Sequence, residues 1–157
     1  METKNFIGLD LVASEKVINC LNDLLANHQI YYTNLRGLHW DIKGDKFFEL
    51  HGLYEEYYNS EIETIDAVAE RIAMLGGHPE NRYSEYLKTA EIKEINNVSN
   101  WEEGLKHIIA SMGLFLDKYR KLFASGKESN DIGTMSFARK RIGDIEANLW
   151  KLTAYMG

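Results

Sequence analysis

Apolar side chains recur at intervals of three and four residues along most of the chain, which is the spacing of one face of an α-helix. The longest stretch of this kind extends from about Phe47 to about Leu75 and contains no proline. Its apolar positions are Leu50, Leu53, Tyr54, Tyr57, Tyr58, Ile62, Ile65, Val68, Ala69 and Ile72. Gly76 and Gly77 follow at once, with Pro79 close behind, and such residues typically end a helix. The pattern therefore predicts one long helix in the first half of the chain.

The same repeat predicts three further helices and one long connection. The helices extend from Asp10 or Ser14 to Leu38, from Ser99 or Asn100 to about Ala124, and from Asp131 to about Tyr155, with a loop over Ser125 to Asn130. The connection from His78 to Ser99 is too long for a simple bundle loop, and Ser84 to Leu87 within it predicts a short helix capped by Ser84. This order predicts an all-α fold, a four-helix bundle with one long crossover that carries a short extra helix.

The length and composition of the chain limit the number of domains, the binding partners and the compartment that we expect for this protein. Its 157 residues suffice for one domain with a hydrophobic core, so we expect residues 1–157 to form a single domain. A net charge of −6 opposes a general attraction to nucleic acid or to anionic lipid. The single cysteine, Cys20, fits a reducing compartment, and the N-terminal sequence lacks the apolar run of a signal peptide or membrane span. We therefore expect a cytoplasmic protein.

Two pairs of possible metal ligands lie on the long helix. His51 and Glu55 are four residues apart, and so are Asp66 and Glu70, so all four side chains project within about 100° of arc. Glu55 and Asp66 are separated by about 16 Å of helix, whereas ligand atoms lie about 2 Å from a metal ion. If the same helix of a second chain ran antiparallel, centred near residues 60–61, each pair would face the other pair of the partner. The spacing therefore predicts two identical sites per dimer.

His39 is a further candidate ligand. It lies twelve residues before His51, across a short turn that contains Gly44 and Asp45, and it can fold back toward that histidine. The E-x-x-H pair of other di-iron helical bundles is absent, because no histidine has a glutamate three residues before it, and this favours a site between chains. H-E-x-x-H, C-x-x-C, P-loop and G-x-G-x-x-G sequences are absent too, which leaves zinc-protease, thiol-redox and nucleotide chemistry without support.

These residues resemble the ferroxidase signature of the Dps proteins, the mini-ferritins. The matching elements are the His-Trp pair that begins at His39, a histidine twelve residues later, an acid four residues after that, and the D-x-x-x-E pair of Asp66 and Glu70. The resemblance continues through the A-E-R-I and L-G-G sequences of residues 69–77 to the Leu-Trp pair of residues 149–150, so it covers almost the whole chain. One position departs, because the family usually has aspartate where this chain has the longer Glu55.

The resemblance implies a fold, an assembly and a reaction. The fold is a ferritin-like, Dps-type bundle, and the assembly is a hollow dodecamer built from dimers. Each di-iron site would combine His39, His51 and Glu55 of one chain with Asp66 and Glu70 of its two-fold partner, as both metal ligands and catalytic residues. Fe(II) would be oxidised there, with hydrogen peroxide as the expected oxidant, and Fe(III) would be stored in the cavity, which protects against oxidative damage. We expect DNA binding to be weak or absent, and no membrane association.

Three alternatives stand beside this reading. The first is a nucleoid protein whose main role is DNA coating; such family members usually carry lysine-rich extensions, whereas residues 1–16 hold two lysines and three acids. The second is a structural cage that binds zinc or iron without turnover. In the third, the candidate carboxylates form only a solvated helix face with ordinary ion pairs to lysine or arginine.

Several other side chains are given structural or minor roles. His28 lies on the inner stripe of the first helix and is interpreted as a core histidine, because no acid is paired with it by spacing. Trp40 and Trp150 are interpreted as core aromatics. A further hypothesis places acid-lined iron pores at three-fold axes, formed by acids at the start and middle of the last helix: Asp131, Asp144 and Glu146.

Overall fold

Five α-helices make up the computed structural model, which describes residues 3–157. They are α1 (Leu11–Asp41), α2 (Phe47–Met74), α3 (Tyr83–Thr89), α4 (Trp101–Glu128) and α5 (Ile132–Met156). Within the described residues the only β-type pairing is an isolated bridge between Lys4 and Asp10. The predicted all-α bundle with a short helix in its crossover is therefore confirmed. Met1 and Glu2, the latter one of the three acids counted above, lie outside the described residues.

Polar side chains cap three of the four long helices. Asp10, Asn100 and Asp131 each accept a hydrogen bond from the backbone N–H three residues later, which satisfies one of the free donors of the first turn. The bounds of α1 and α2 follow the sequence prediction closely, except that α1 continues to Asp41.

The short helix α3 begins differently from the prediction. It starts at Tyr83, with Arg82 at the cap position, and no side chain caps it, so the predicted cap at Ser84 is wrong. The Glu80 carboxylate instead accepts hydrogen bonds from the backbone N–H groups of Asn81 and Arg82, and it pairs with the Arg82 guanidinium. This exposed pair lowers the pKa of Glu80 to about 2.

The predicted loop over Ser125–Asn130 is mostly helical. α4 continues to Glu128, and the reversal into α5 uses Asn130, whose φ of 55° is left-handed. Gly126 allows this tight arrangement, because a Cβ atom there would lie 3.3 Å from the carbonyl oxygen of Asp131. The segment from Ser125 to Glu128 is polar and contains a glycine, which disfavours a helix locally. It stays helical because the end of α4 packs closely against the start of α5.

Two asparagines of α1 hold the crossover against the bundle. Asn27, which is fully buried, accepts hydrogen bonds from the backbone N–H groups of Glu91 and Ile92. Asn34 accepts one from the N–H of Ile95 in the same way. These amides satisfy backbone donors that no helix or strand satisfies, so the long connection follows a defined course across α1.

The core lies between the helices, and α2 contributes one face to it. Its buried apolar residues are Leu50, Tyr54, Val68 and Ile72. Glu55, Asp66 and Glu70 lie on the exposed side of the same helix. No helix within residues 3–157 combines the length and the apolar character needed to span a membrane.

A buried ion pair joins α2 to the start of α5. Nη2 of Arg71 donates to Oδ1 of Asp131 at 2.6 Å, and Asp131 is only 2% exposed. Nε of Arg71 donates to the hydroxyl of Thr134. The backbone N–H of Thr134 donates in turn to Oδ1 of Asp131. Asp131 is thus occupied in holding two helices together, so the hypothesis that it lines an iron pore is wrong.

We expect Asp131→Ala to lower the free energy of unfolding by about 3 kcal/mol, because it leaves the Arg71 guanidinium without its buried partner and removes a helix cap. Asp131→Asn keeps a cap acceptor and should cost less. The control is Asp144→Ala, which removes an exposed pair with Lys140 and should change stability by less than about 1 kcal/mol. Urea unfolding followed by circular dichroism measures all three; equal losses for the two alanine variants would contradict the assignment.

Candidate metal centre

The turn between α1 and α2 brings two histidines together. His39 lies near the end of α1 and His51 in the second turn of α2. Gly44 has a φ of 101°, which glycine adopts without strain, and the Lys43 N–H donates to the carbonyl of Ser99, which fixes the turn against the crossover. The two imidazole rings stack with centroids 3.8 Å apart and planes 17° apart. The predicted folding back of His39 toward His51 is what the structure shows.

Reciprocal hydrogen bonds set the proton positions of these two rings. Nδ1 of His39 faces the carbonyl oxygen of His51 at 2.7 Å, and Nδ1 of His51 faces the carbonyl oxygen of His39 at 2.9 Å. A carbonyl oxygen only accepts, so each Nδ1 carries the hydrogen and each neutral ring keeps its lone pair on Nε2. Metal-binding histidines are oriented in this way, with one nitrogen bonded to the protein and the other free for the ion. Phe47 stacks on the outer face of His51 at 4.8 Å and further restrains its orientation.

The three candidate carboxylates are exposed and unpaired within the subunit. Glu55, Asp66 and Glu70 form no ion pair with any of residues 3–157. Arg71, adjacent to Glu70, is directed instead at Asp131. The alternative in which these carboxylates make ordinary ion pairs with lysine or arginine therefore has no support within one subunit.

A single subunit brings together only some of the five candidate metal ligands. His39 stacks on His51, and Glu55 follows one turn later on α2, but Asp66 and Glu70 lie about 16 Å or more further along the same helix. Residues 3–157 of a single subunit contain no group of three histidine, cysteine or acidic side chains close enough to hold a metal ion. The arrangement is that of two incomplete halves on one helix face.

A buried polar cluster inside the bundle was missed by the sequence reasoning. His28 is a core histidine, but an acid does pair with it: its Nδ1 lies 2.7 Å from Oε2 of Glu61 on α2. Its Nε2 lies 2.8 Å from the hydroxyl of Tyr119 on α4. A signal was present in the sequence, because Glu61 occupies the apolar stripe of α2, seven residues after Tyr54 and seven before Val68.

The tryptophan interpretation is wrong for both residues. Trp40 is 67% exposed and Trp150 is 69% exposed, so neither belongs to the core of the subunit. The guanidinium of Arg36 lies 5.1 Å from the ring centroid of Trp40 and at the same distance from that of Tyr32. Trp40 is therefore held on the surface, directly after His39.

Comparison with known proteins shows the same fold along the whole chain. A family model for the ferritin-like domain matches residues 18–157. The DNA protection during starvation protein of Porphyromonas gingivalis is 42% identical over 139 residues, which cover 88% of this chain and 87% of that protein. The crystal structure of the Dps protein of Vibrio cholerae O1 matches with a TM-score of 0.98 and 37% identity, covering 100% of this chain and 99% of that one. This chain belongs to the Dps family of ferritin-like proteins.

Other Dps proteins and relatives support the same conclusion. The Dps structure from Bacillus brevis matches with a TM-score of 0.90 and 26% identity over 93% of this chain and 98% of that one. A protein of Haemophilus influenzae without an assigned function is 43% identical over 152 residues, or 97% of this chain and 95% of its own length. The Vibrio cholerae protein is described as a member of a broad superfamily of ferritin-like diiron-carboxylate proteins. Membership of the Dps family therefore indicates iron binding and storage, and DNA protection, as the functional class.

We expect His51→Ala to weaken binding of Fe(II), or of Co(II) as a spectroscopic probe, by at least about tenfold in anaerobic titrations of the assembled protein. The variant loses the Nε2 lone pair that would bind the metal ion, and it loses the ring that stacks on His39 and orients it. The matched control is Glu56→Gln, which alters an exposed acid next to Glu55 but on another face of α2. Unchanged affinity in the histidine variant, or an equal loss in the control, would contradict this site.

Proposed function

We propose that this Dps protein is a ferroxidase and iron-storage protein whose di-iron site forms between two subunits. The observation that carries the proposal is the His39–His51 pair, whose reciprocal hydrogen bonds leave both Nε2 atoms free to bind metal. His39, His51 and Glu55 of one subunit would bind the substrate Fe(II) together with the partner subunit's Asp66 and the partner subunit's Glu70. Neutral imidazoles and carboxylates with open coordination positions suit Fe(II).

The geometry of α2 supports a site between subunits. The two halves share one face of an uninterrupted helix, and an antiparallel copy centred near residues 60–61 would place each half opposite its complement. Such a two-fold pairing uses the same surface of both chains and produces two identical sites. Ile62, which is 49% exposed near the centre of this face, would be covered in the dimer. We propose a hollow dodecamer built from these dimers as the storage assembly.

The donor set supports a two-electron reaction. Two Fe(II) ions held in one site can each give one electron to the same molecule of hydrogen peroxide, which takes up two protons from solvent and becomes two molecules of water without releasing hydroxyl radical. The carboxylates offset the charge of the ions, and one of them, Asp66 or Glu70, would bridge the two. Fe(III) then moves into the cavity of the assembly and mineralises. Glu55 keeps a carboxylate where the family usually has aspartate, on a side chain that is one methylene longer.

DNA coating is the second candidate function, because relatives carry the name DNA protection during starvation protein. The charge of this chain opposes it as the main role. The net charge is −6, and a shell of such subunits repels phosphate unless basic segments concentrate positive charge. The densest basic run, Arg139 to Arg141, is partly offset by Asp144, which pairs with Lys140.

A complementation experiment tests the intersubunit site. His51→Ala and Asp66→Ala should each be nearly inactive in Fe(II) oxidation by hydrogen peroxide, measured anaerobically by ferric absorbance, and in a parallel measurement with oxygen. In a mixed dimer, one site lacks both side chains and the other is intact. Mixing the variants should therefore restore activity, up to half of the sites in each mixed dimer.

The control for this experiment is subunit exchange itself, confirmed by native mass spectrometry, with an intact helical spectrum for each variant. If sites formed within single chains, each mixed dimer would still lack one ligand at every site. Mixed dimers without recovered activity would therefore overturn the intersubunit site, and metal binding without ferric absorbance in the unaltered protein would favour the structural cage.

We expect no stable complex between this chain and DNA at about 150 mM salt and neutral pH without divalent ions, because attraction by local basic patches is screened within about 8 Å. A gel-shift assay with linear duplex DNA measures this. Adding magnesium is the comparison, since a divalent ion can bridge carboxylates and phosphates. A retarded complex at this salt concentration without magnesium would support the DNA-coating alternative.

A further inference from the structure

A cavity of about 320 Å³ extends from the surface between α2 and α5 into the interior of the bundle. Exposed residues of these two helices, among them Ser60 and Lys151, lie at its rim. Buried residues, among them His28, Glu61 and Thr64, lie at its floor. Its lining residues include none of the five candidate metal ligands, so the cavity is a second place where a small molecule can meet charged groups.

Arg141 of α5 lines this cavity with unused hydrogen-bond donors. A guanidinium has five N–H donors, and here Nη1 donates to the hydroxyl of Thr64 at 3.0 Å. Within residues 3–157 no carboxylate pairs with Arg141, and its Nε is buried without a partner. Thr64 and the Phe137 ring, whose centroid lies 5.5 Å from the guanidinium carbon, hold the group in place. A half-buried cation with most of its donors free indicates that an anion binds here.

A second cation and the local charge balance favour an anion as well. Lys151, at the rim, makes no ion pair with any residue that the structure describes. Asp144 also lines the cavity, but it pairs with Lys140 at 2.8 Å, so part of its charge is already compensated. The α5 side of the cavity therefore offers two cations, Arg141 and Lys151, that are available to an incoming anion.

Glu61, on the opposite side, restricts which anion fits. The Tyr119 hydroxyl lies 2.8 Å from Nε2 of His28, its only hydrogen-bond partner among the described residues, so its hydrogen is directed at Nε2. Nδ1 of His28 then carries the hydrogen that it donates to Oε2 of Glu61, at 2.7 Å. This bond holds Glu61 apart from Arg141, and Oε1 of Glu61 accepts no hydrogen bond within residues 3–157. An anion between the two must therefore accept from Arg141 and donate a hydrogen to Glu61.

We propose that this cavity binds inorganic hydrogen phosphate. Its oxygens would accept hydrogen bonds from the Arg141 guanidinium, whose planar fork suits such anions, and Lys151 would supply further positive charge. The hydrogen that the anion keeps at neutral pH would be donated to Oε1 of Glu61. Sulfate has the same tetrahedral shape but no hydrogen at this pH, so the cavity distinguishes the two anions. The site uses no residue of the candidate metal centre, so phosphate binding here does not depend on iron oxidation.

The test compares phosphate with sulfate on the assembled protein after iron has been removed, because Fe(III) itself binds phosphate. Isothermal titration calorimetry at neutral pH, supported by phosphorus-31 nuclear magnetic resonance, measures the two affinities. We expect about one phosphate per subunit and at least about tenfold weaker binding of sulfate, because a sulfate oxygen would face the Glu61 carboxylate without a hydrogen between them. No binding at millimolar phosphate, or equal affinities for the two anions, overturns the inference.

Glu61→Gln separates anion recognition from a structural role. The glutamine oxygen can still accept from His28, and its amide N–H group then faces the cavity as a donor. Sulfate should now bind about as tightly as phosphate, with a ratio of affinities within about twofold. A residue with only a structural role would leave that ratio unchanged when it is replaced, so an unaltered preference for phosphate in this variant contradicts the assignment.

Arg141→Gln should weaken phosphate binding by at least about tenfold, because it removes a charge-assisted hydrogen-bond donor. The matched control is Arg139→Gln, which removes the same charge from an exposed position outside the cavity and should change the affinity by less than about twofold. Lys151→Gln alters only the exposed rim, so it tests the site even if Arg141→Gln fails to fold, and it should weaken phosphate binding by about threefold. Equal losses in the Arg139 and Arg141 variants, or no loss in the Lys151 variant, overturn the site.

A parallel titration with methyl phosphate distinguishes two sources of the same chemistry. Weaker binding of methyl phosphate than of inorganic phosphate supports free phosphate as the ligand, since the ester has one oxygen fewer to offer. Tighter binding overturns free phosphate and assigns the cavity to the phosphate group of a larger molecule. The ferroxidase assay is a separate measurement, so its failure leaves these affinities unchanged, and the absence of phosphate binding leaves the proposed ferroxidase unchanged.

Discussion

A helix without breaks holds its side chains at set distances, and α2 imposes this constraint on the whole candidate site. From Phe47 to Met74 the helix continues without proline, so His51 and Glu55 cannot approach Asp66 and Glu70 of the same chain. A metal ion requires ligand atoms about 2 Å away. The same rigidity that prevents a site within one subunit favours one between two, because an antiparallel copy of an uninterrupted helix would place each ligand pair opposite its complement. Leu50, Tyr54, Val68 and Ile72 of α2 are buried against the bundle, so the ligand face of the helix is directed outward.

The metal face and the bundle interior place polar groups under opposite conditions. At the face, Glu55, Asp66 and Glu70 are hydrated and make no ion pair within the described residues, so no protein contact has to break when a cation binds. In the interior, the hydrogen bond between His28 and Glu61 offsets part of the free-energy cost of burying the Glu61 carboxylate. There, His28 contacts both Glu61 and Tyr119 through its two ring nitrogens. The candidate metal face and this buried cluster share α2 without sharing a residue.

Helix ends and connections illustrate how tertiary contacts override local preference. The segment Ser125–Asn130 contains glycine and polar residues, yet most of it stays helical because Gly126 packs against the start of α5. Asp131 reads as a surface acid in the sequence but is buried between Arg71 and Thr134. The crossover has few periodic residues of its own, and its course depends on Asn27 and Asn34 of α1, which lie about sixty residues away in sequence.

Sequence periodicity and helix-ending residues predicted the helix order and the long crossover, because apolar spacing and helix stops are local properties. The short helix within the crossover was predicted too, but with a cap at Ser84 that the structure does not show. Spacing also placed His51, Glu55, Asp66 and Glu70 on one helix face, since side-chain direction along a helix follows from residue number. Only the tertiary structure decided that His39 stacks on His51, that the two rings direct their Nδ1 hydrogens at each other's carbonyls, and that His28 meets Glu61 and Tyr119. Each of these contacts joins residues on different helices. Their meeting depends on how the helices pack and on the angle of each turn, which no local pattern of residues specifies.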